Sequence, residues 1–429
     1  MSERRLIATI NRVAVGTLCD EGGIWSFEYD PAWAKSKDSF DLAPNLPRSA
    51  EKTLDGASDR PVQWFFDNLL PEETTRDLLA QDANIPSADA FGLLAYYGRE
   101  SAGAITLLAP GEASPDSGYQ LLSDEELHAR IAQLPHKGLA AGAPKRMSLA
   151  GAQHKIAICV REGQLYHPVG DTPSTHILKP EHQDTDLYPH SVANEFFVMR
   201  LALAMGLSVP EVEIRYVPDP VYLIERFDRK AIGSESMRLH VIDACQLLGL
   251  DRTFKYQQAG AETLVRCIAM CQNRALVRQN LLSWALFNLL VGNGDAHLKN
   301  LSFLVKATGI ELAPFYDLVS TESYRAEIGN TPRWPMTPLT MQIGEATTFD
   351  AVNRQNYIAF AENIGASKRT ANRLMDEFTD KIEKAADVVY TAFEQMPIIN
   401  EAVRAGELRT LRTIRYAVIR DMAARLKAT

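Results

Sequence analysis

The pattern of apolar residues changes part-way along the chain, and this change limits the possible folds more than any other sequence feature. Between Ile156 and Val241, short apolar runs alternate with turn residues around one helix, as is typical of β-strands. After Val241 the apolar residues recur at helical spacing, apart from a strand-like pair at residues 301–305 and 310–313. Strands followed by helices predict an α+β protein with a β-rich N-terminal lobe and a mostly helical C-terminal lobe.

The length of 429 residues is sufficient for two or three domains. Residues 5–29 predict a small antiparallel sheet, and three helices are predicted at residues 62–70, 72–81 and 87–97. A stretch rich in Pro, Gly and Ala at residues 135–144 indicates a boundary. We therefore predict an N-terminal domain over residues 1–145 and a core over residues 146–429, with lobes at about 146–230 and about 231–429.

The beginning of the core is predicted to be strand-rich. Residues 156–160 and 174–179 predict two strands, with a hairpin turn at residues 161–164 after the first. Residues 191–206 predict an amphipathic helix that ends at a glycine, and two more strands are predicted at residues 212–216 and 221–224.

Composition excludes several classes of protein. The formal net charge of -9 gives the chain as a whole no attraction for a polyanion, so any contact with nucleic acid is expected to be local or through a partner. The five cysteines are scattered without histidines at ligand spacing, which favours reduced packing residues over zinc ligands or a disulfide framework. Residues 1–12 do not have the apolar core of a signal peptide, and no uncharged stretch is long enough to span a bilayer. We therefore expect a cytoplasmic protein with no membrane contact.

A short loop at the end of an apolar helix carries the most informative motif. Residues 292–300 are Gly-Asn-Gly-Asp-Ala-His-Leu-Lys-Asn, which places Asp295 five residues before Asn300. This is the spacing of a protein-kinase catalytic loop, in which the aspartate orients the attacking hydroxyl and the asparagine holds magnesium. After a predicted hairpin, Asp317 lies where a kinase has its metal-binding aspartate. Either aspartate, considered alone, is also typical of a turn or a helix cap. Asp295, Asn300 and Asp317 in this order favour a two-lobed, protein-kinase-like fold.

The upstream half of the core offers candidate contacts for a nucleotide. Residues 148–155 are Ser-Leu-Ala-Gly-Ala-Gln-His-Lys, and small side chains in such a segment let backbone N–H groups approach phosphate oxygens. The segment matches neither a Rossmann nor a Walker pattern, so an ordinary turn is the alternative. Lys179 ends the next strand, where it is either a solvent-facing edge lysine or the cation that pairs with the α- and β-phosphates. The downstream aspartates favour the second interpretation.

Other residues near these segments have more than one interpretation. Glu195, on the helix at 191–206, either pairs with Lys179 or is a solvated glutamate. Residues 225–229, Glu-Arg-Phe-Asp-Arg, link the strands to the helical lobe, where a kinase hinge contacts the adenine edge through its backbone and Phe227 would cover the base. His297 is expected to contact phosphate or support the loop, because phosphoryl transfer that depends on an aspartate needs no histidine.

Together, these segments resemble the HipA family of bacterial toxin kinases. The resemblance rests on residues 146–155, 174–179, 224–229, 294–300 and 316–318. Residues 64–72, followed by residues 98–103, resemble the N-terminal domain of that family. The resemblance covers roughly residues 5 to 400, with the motifs in family order.

The resemblance implies a serine/threonine kinase that uses ATP and Mg2+. It implies Asp295 as the catalytic residue, Asn300 and Asp317 as magnesium ligands, and Ser148 as a site of self-phosphorylation. A phosphate on Ser148 would repel the phosphates of ATP, so we predict that it switches the enzyme off; a serine that only caps the turn is the alternative. The resemblance implies nucleotide contacts at Ala150, Gly151, Ala152, Gln153, His154, Lys155 and Lys179, and we further predict contacts at Glu225, Arg226, Phe227, His297, Asn300 and Asp317. The implied partners are a HipB-like helix-turn-helix antitoxin, operator DNA mainly through that antitoxin, and a protein substrate of the translation machinery such as an aminoacyl-tRNA synthetase.

Two other functions are compatible with the same residues. A small-molecule phosphotransferase would share the site residues but would have a closed acceptor pocket. A catalytically silent co-repressor on an antitoxin–DNA complex would need neither Asp295 nor Asp317. Residues 401–429 carry seven Arg or Lys against three acidic residues, which favours a solvated helix over a contact with DNA or with an acidic partner.

Overall fold

The computed structural model of the protein describes residues 3–112, 116–233, 235–325, 334 and 336–428. The strands are β1 Arg4–Ile10, β2 Val13–Glu21, β3 Ile24–Tyr29, β4 Thr53–Leu54, β5 Ile105–Leu108, β6 Gly118–Leu121, β7 Ile156–Arg161, β8 Gln164–Val169, β9 His176–Pro180, β10 Val212–Val217, β11 Asp219–Glu225, β12 Arg229–Ile232, β13 Glu235–Arg238, β14 Val241–Asp243, β15 Ser302–Lys306, β16 Gly309–Leu312, β17 Pro338–Ile343 and β18 Ala346–Thr348. The helices are α1 Pro31–Lys35, α2 Pro61–Asp67, α3 Glu73–Ala83, α4 Ala90–Tyr97, α5 Asp124–Ile131, α6 Ser191–Ala204, α7 Ala244–Leu248, α8 Ala261–Met270, α9 Arg274–Val291, α10 Arg354–Asn363, α11 Lys368–Glu394, α12 Glu401–Thr413 and α13 Arg420–Lys427.

The chain forms two compact units, each built from separate stretches of sequence. The first unit comprises Met1–Pro180, Leu223–Thr253 and Ser302–Ala313. The second unit comprises Glu181–Tyr222, Phe254–Leu301 and Pro314–Thr429. The predicted domain boundary at residue 145 is a single cut along the sequence, whereas the two units are discontinuous in sequence. The boundary therefore stays a prediction.

The N-terminal residues of the first unit form the predicted antiparallel sheet. Its strand order is β4-β3-β2-β1-β5. Leu6 of β1 lies opposite Leu18 of β2, and both side chains are buried. Ala8 and Ile10 of β1 point to the same face as Leu6 because side chains alternate along a strand. Helices α2 and α4 follow closely the predicted helical stretches, and α2 packs on β3.

A second sheet of the first unit differs from its sequence prediction. Strand β7 pairs with β8 through the tight turn at Glu162 and Gly163, and β9 pairs with the other side of β7. The turn was predicted, but β8 was not, because its residues Gln164–Val169 mix polar, aromatic and proline residues and have no regular alternation. The strand predicted at 174–179 is β9, which pairs directly with β7 on the side opposite to β8. It is therefore not the hairpin partner of β7.

The hairpin predicted between the two aspartates is present in the first unit. Strands β15 and β16 pair antiparallel, and β15 also pairs with β14. The chain leaves the second unit after Leu301, forms this hairpin, and re-enters the second unit at Pro314. Asn300 and Asp317 therefore lie just before and just after a hairpin that belongs to the other unit.

The second unit is mainly helical, as the sequence predicted. Helix α11 packs against α6, α9 and α13, and the buried core includes Phe197, Trp284, Phe287 and Phe360. A π-helix at Ile414–Ile419 joins α12 to α13. The short hairpin of β17 and β18 was not predicted in this helical part. Within the described residues, we found no helix that combines the length and the apolar character needed to cross a bilayer.

Candidate active site

The loop that carries Asp295 begins at a well-defined helix end. Helix α9 terminates at Gly292, which has a left-handed backbone with φ 64° and ψ 49° that favours glycine. Asn293 then donates from Nδ2 to Asn288 Oδ1 over 2.7 Å, and the Nδ2 of Asn288 donates to Trp284 O over 2.9 Å. These buried amide bonds attach the first residue of the loop to the last turns of the helix.

Asp295 is half-buried and held by both its backbone and its carboxylate. Its N–H donates to Asn293 Oδ1 over 3.0 Å, and its carbonyl accepts from His297 N over 2.9 Å. Its carboxylate oxygen Oδ1 accepts the hydroxyl of Tyr256 over 2.7 Å. His297 is buried with its ring edge-on to Tyr256, with 4.9 Å between the ring centroids, which places it among the residues that support the loop.

Asn300 lies at the end of the loop and is oriented by Asp295. Its Nδ2 donates to the carbonyl of Asp295 over 3.1 Å, and its own N–H donates to His297 O over 3.0 Å. The donation by Nδ2 fixes which way the amide points. Oδ1 is the atom of this amide with the chemistry to bind a cation, so the orientation fits the predicted metal ligand.

Asp317 has an unusual backbone conformation for a residue with a side chain. Its φ is 57°, in the left-handed region, which costs energy and is held only when the surroundings impose it. On one side, the hydroxyl of Tyr316 donates to Lys299 O over 2.7 Å, next to Asn300. Burial, together with the nearby carboxylates of Glu195 and Asp317, raises the pKa of the Tyr222 phenol well above its usual value.

On the other side of Asp317, helix α6 holds the chain at Ser320. Asn194 is fully buried and makes two reciprocal bonds, from Nδ2 to Ser320 O over 3.0 Å and from Ser320 N to its Oδ1 over 2.9 Å. The next residue, Thr321, accepts from Gly294 N over 2.7 Å, and Glu322 N donates to Gly292 O over 3.0 Å. The 320–322 segment therefore connects α6 to the loop of Asp295 within one unit.

The predicted phosphate segment at 150–155 lies in the first unit and has a closed, well-bonded conformation. Lys155 Nζ donates to Ala150 O over 2.7 Å, and Gly151 has φ 105°, where a Cβ would lie 2.7 Å from Lys155 Nζ. The carbonyl of Ala152 accepts the hydroxyl of Thr75. The positive φ thus favours glycine at position 151. Gln153 and His154 are half-buried.

Ser148 is buried in the same unit. Its hydroxyl donates to Leu69 O over 2.9 Å, and its N–H donates to Glu100 O over 2.8 Å. The sequence prediction of a serine at the mouth of a phosphate loop did not anticipate this burial. In the conformation described here, the hydroxyl is directed into the protein.

The remaining predicted nucleotide contacts also lie in the first unit. Lys179 is buried on β9, Glu225 is exposed at the end of β11, and Phe227 is half-buried. The guanidinium of Arg226 is buried and directed at the protein, with Nη2 2.7 Å from Asp228 Oδ2 and Nη1 3.0 Å from Ser174 Oγ. Its side chain is therefore not placed to contact a nucleotide, and only its backbone keeps the predicted hinge role.

The buried group around Arg226 is centred on Glu100. The carboxylate of Glu100 lies 2.6 Å from Lys145 Nζ, and it lies 2.8 Å from both Arg229 and Arg238. Although burial works in the opposite direction, these cations hold the pKa of Glu100 well below its usual value. Arg226 and Arg229 of the Glu-Arg-Phe-Asp-Arg motif thus form buried ion pairs with Glu100, which lies within residues 98–103.

The residues present fit the predicted magnesium site in their chemistry. Magnesium takes few ligands from protein and keeps waters and phosphates, so one amide and one carboxylate, Asn300 and Asp317, are enough. Among the residues that the structure describes, no group of three or more His, Cys, Asp or Glu side chains is arranged to hold a metal. The two-residue metal site stays a prediction.

Comparison with known proteins decides the family. Residues 147–386 match the HipA-like C-terminal domain, and residues 6–108 match the HipA N-terminal domain. The chain belongs to the HipA family. The serine/threonine-protein kinase toxin HipA of Shewanella oneidensis is 34% identical over 400 residues, which cover 88% of this chain and 86% of that protein. Y4mE of Sinorhizobium fredii is 35% identical over 381 residues, which cover 85% of this chain and 87% of Y4mE.

A solved structure shows the same fold. It contains HipA of Shewanella oneidensis MR-1 in a toxin–antitoxin complex with HipB and operator DNA. The match has a TM-score of 0.80 and 26% identity, and it covers 98% of this chain and 97% of that chain. The predicted HipA family, the α+β kinase fold and the serine/threonine-kinase assignment are confirmed.

Sequence reasoning missed two residues of this HipA-family site. Tyr256 lies 39 residues before Asp295 in a stretch without a motif, and only the tertiary structure brings its hydroxyl to that carboxylate. Asn194 precedes Glu195 on α6, and an asparagine directly after the apolar residues Val192 and Ala193 was the signal that could have identified it.

Proposed function

We propose that this HipA-family kinase transfers the γ-phosphoryl group of Mg-ATP to a serine or threonine hydroxyl of a protein in the translation machinery. The observation that supports this most directly is the loop in which Asn300 donates a hydrogen bond to Asp295 O. Tyr316 and Thr321 bond this loop to the Asp317 segment. Bound Mg-ATP supplies the phosphoryl group and the charge that neutralises its oxygens. Asp295 orients the acceptor hydroxyl and takes its proton, and Asn300 and Asp317 hold the metal.

The protein acts in this proposal as a toxin that a partner restrains. HipA of Shewanella oneidensis is named as a toxin and has been solved with HipB and operator DNA. By analogy, we expect a small helix-turn-helix antitoxin as partner, with operator DNA contacted mainly through it. The proteins would act in the cytoplasm, where translation takes place.

Self-phosphorylation at Ser148 forms part of the proposal, and the burial of this residue determines its consequences. The hydroxyl must leave Leu69 O before it can accept a phosphoryl group. A phosphoserine cannot return, because it carries about two negative charges and has no hydrogen to donate to that carbonyl. Phosphorylation would therefore hold residues 148–152 away from their site beside residues 69–75 and so switch the kinase off.

The deciding experiment uses Asp295→Asn, which keeps the size of the side chain and its acceptor oxygen for Tyr256. We expect phosphoryl transfer to fall about 10^3-fold, within the range for loss of a catalytic base. Binding of Mg-ATP, measured by calorimetry, should change little. The control is Glu377→Gln, which removes the same charge from an exposed position on α11.

Labelled ATP is supplied to the purified protein with and without a cell extract. Labelled proteins support the proposal, whereas label only in small molecules would favour a small-molecule phosphotransferase. Wild-type rates in Asp295→Asn would contradict the catalytic assignment. Loss of growth arrest when Asp295→Asn is overexpressed would support the toxin role.

A further inference from the structure

The hydroxyl of Tyr256 lies at the carboxylate that we assign to catalysis. Tyr256 follows the short 3-10 helix Arg252–Phe254, and its hydroxyl donates to Asp295 Oδ1 over 2.7 Å. Tyr256 is 44% exposed, although it touches a loop that is mostly buried. Tyr256 and Asp295 both lie in the second unit, so their contact is internal to one compact body.

This contact has the chemistry of acceptor binding. In phosphoryl transfer to serine or threonine, the catalytic aspartate accepts a hydrogen bond from the acceptor hydroxyl before it takes the proton. A phenol that donates to an ionised carboxylate makes the same O–H···O⁻ bond, and such charge-assisted bonds are short and strong. Tyr256 therefore occupies a position at Asp295 that an acceptor hydroxyl needs.

We infer that Tyr256 is an internal placeholder for the acceptor hydroxyl, and that a protein substrate binds productively only after the tyrosine side chain turns away. The inference rests on the proposed role of Asp295. It assigns Tyr256 to the control of acceptor binding, because the residue competes with the acceptor for the same carboxylate.

The surroundings of Tyr256 allow the side chain to move while the backbone stays in place. The carbonyl of Lys255 accepts from Leu298 N over 3.2 Å, and the carbonyl of Tyr256 accepts from Ala259 N over 3.0 Å. These bonds attach the backbone to the catalytic loop and to its own turn. The ring meets the His297 ring edge-on, has Lys255 Nζ 5.1 Å from its centroid and is partly exposed to solvent, so rotation about its χ1 angle would take the hydroxyl away from Asp295 while these backbone bonds stay in place.

The test is Tyr256→Phe, which keeps the ring and removes the competing hydroxyl. If the acceptor site is open in only a fraction of the molecules, the apparent dissociation constant equals the intrinsic one divided by that fraction. We expect the KM for a peptide acceptor to fall about tenfold, with kcat within about twofold and with unchanged affinity for Mg-ATP. In the absence of peptide, hydrolysis of ATP should rise several-fold, because Asp295 is then accessible to water.

The acceptor is a synthetic peptide of residues 143–153, in which Ser148 carries the only side-chain hydroxyl. Initial rates are measured with labelled Mg-ATP for the wild type, for Tyr256→Phe and for the control Tyr416→Phe. Tyr416 is also in the second unit and is 53% exposed, so its substitution removes a similar hydroxyl away from the loop. The control should match the wild type in both assays.

The outcomes separate the alternatives. A lower kcat with an unchanged KM in Tyr256→Phe would mean that the tyrosine positions Asp295 for catalysis, and it would overturn the inference. Unchanged peptide KM and unchanged hydrolysis would overturn it too. If the wild type and Tyr256→Phe both bind Mg-ATP but neither transfers phosphoryl groups to peptide or to water, the proposed function itself is wrong, and that result is distinct from either of the others.

Discussion

The two units of this protein hold their functional segments in place by different physical means. In the first unit, the Glu-Arg-Phe-Asp-Arg segment is fixed by ion pairs around the buried carboxylate of Glu100. In the second unit, several of the bonds that fix the loop of Asp295 and the segment of Asp317 join neutral groups. Examples are the amide of Asn194 with Ser320 and the hydroxyl of Tyr316 with Lys299 O.

The difference follows from what each segment must do. A carboxylate surrounded by cations is stable but is a poor base, because the cations favour its ionised form. Glu100 is in this situation, and its pKa is held well below the usual value. Neutral hydrogen bonds position a backbone without adding a fixed charge beside it.

The largest effect is expected from Glu100→Gln in the first unit. This change removes the negative charge and leaves Lys145, Arg229 and Arg238 buried without it, which should lower the free energy of unfolding by about 3–5 kcal/mol. Urea denaturation followed by circular dichroism measures the loss. The control is Glu311→Gln, whose partner Lys306 is exposed, with an expected change within about 0.5 kcal/mol. Equal losses of unfolding free energy in the two variants would show that burial does not decide how much these ion pairs contribute to stability.

A smaller effect, of opposite pH dependence, is expected at Glu181 in the second unit. Its Oε2 accepts from Ser191 Oγ over 2.8 Å, while its buried Oε1 has no hydrogen-bond partner among the described residues. Burial raises the pKa of Glu181 to about 7, against 4.5 for the unfolded chain. Because the folded state binds the proton more tightly, the contribution to stability is full below pH 4.5 and is lost as the pH rises through 7.

Glu181→Gln should remove this loss of about 2–3 kcal/mol between pH 5 and pH 8. Urea unfolding of the wild type and the variant at both pH values gives the difference in slope. Burial also raises the pKa of Glu322 and Glu407, which contribute with the same sign, whereas burial lowers the pKa of His182 and His190, which contribute with the opposite sign. The same pH dependence in both proteins would show that Glu181 is ionised in the folded state. In the first unit, the lowered pKa of Glu100 predicts the reverse, a loss of stability at acid pH.

The smallest change in stability, with a larger change in activity, is expected for Asn194→Ala. Loss of its two bonds to Ser320 should cost about 1–2 kcal/mol in unfolding free energy. Because the same bonds hold the Asp317 segment, phosphoryl transfer should fall about tenfold and require more Mg2+ for half-maximal activity. The rate of phosphoryl transfer and its Mg2+ dependence are measured well below the unfolding temperature.

Thr379→Ala is the control for Asn194→Ala. It removes a buried hydroxyl that bonds to Met375 O within α11, and it should reduce stability by a similar amount with unchanged Mg2+ dependence. An Asn194→Ala enzyme with wild-type Mg2+ dependence would show that neutral bonds at Ser320 do not position Asp317. If Asp317→Ala also leaves the Mg2+ dependence unchanged, the metal assignment is at fault instead.

Features encoded by neighbouring residues were predictable from the sequence. The loop after α9 follows from a helix that ends at Gly292, and the hairpin of β15 and β16 follows from two short apolar runs with a turn between them. Strand β8 was missed because its partners β6 and β7 stabilise a segment whose own residues do not alternate. Arg226 was predicted in a hinge that contacts a nucleotide through its backbone, and the ion-pair cluster around its side chain was not predicted.

The sequence by itself determined the family, the order of strands and helices, and the spacing of Asp295, Asn300 and Asp317, because each of these depends on residues close together in the chain. Only the tertiary structure decided which side chains meet across long separations. Glu100 meets Arg226 across 126 residues, and Tyr256 meets Asp295 across 39. Such pairs leave no periodic pattern, since they form only when packing of the apolar core brings distant segments together.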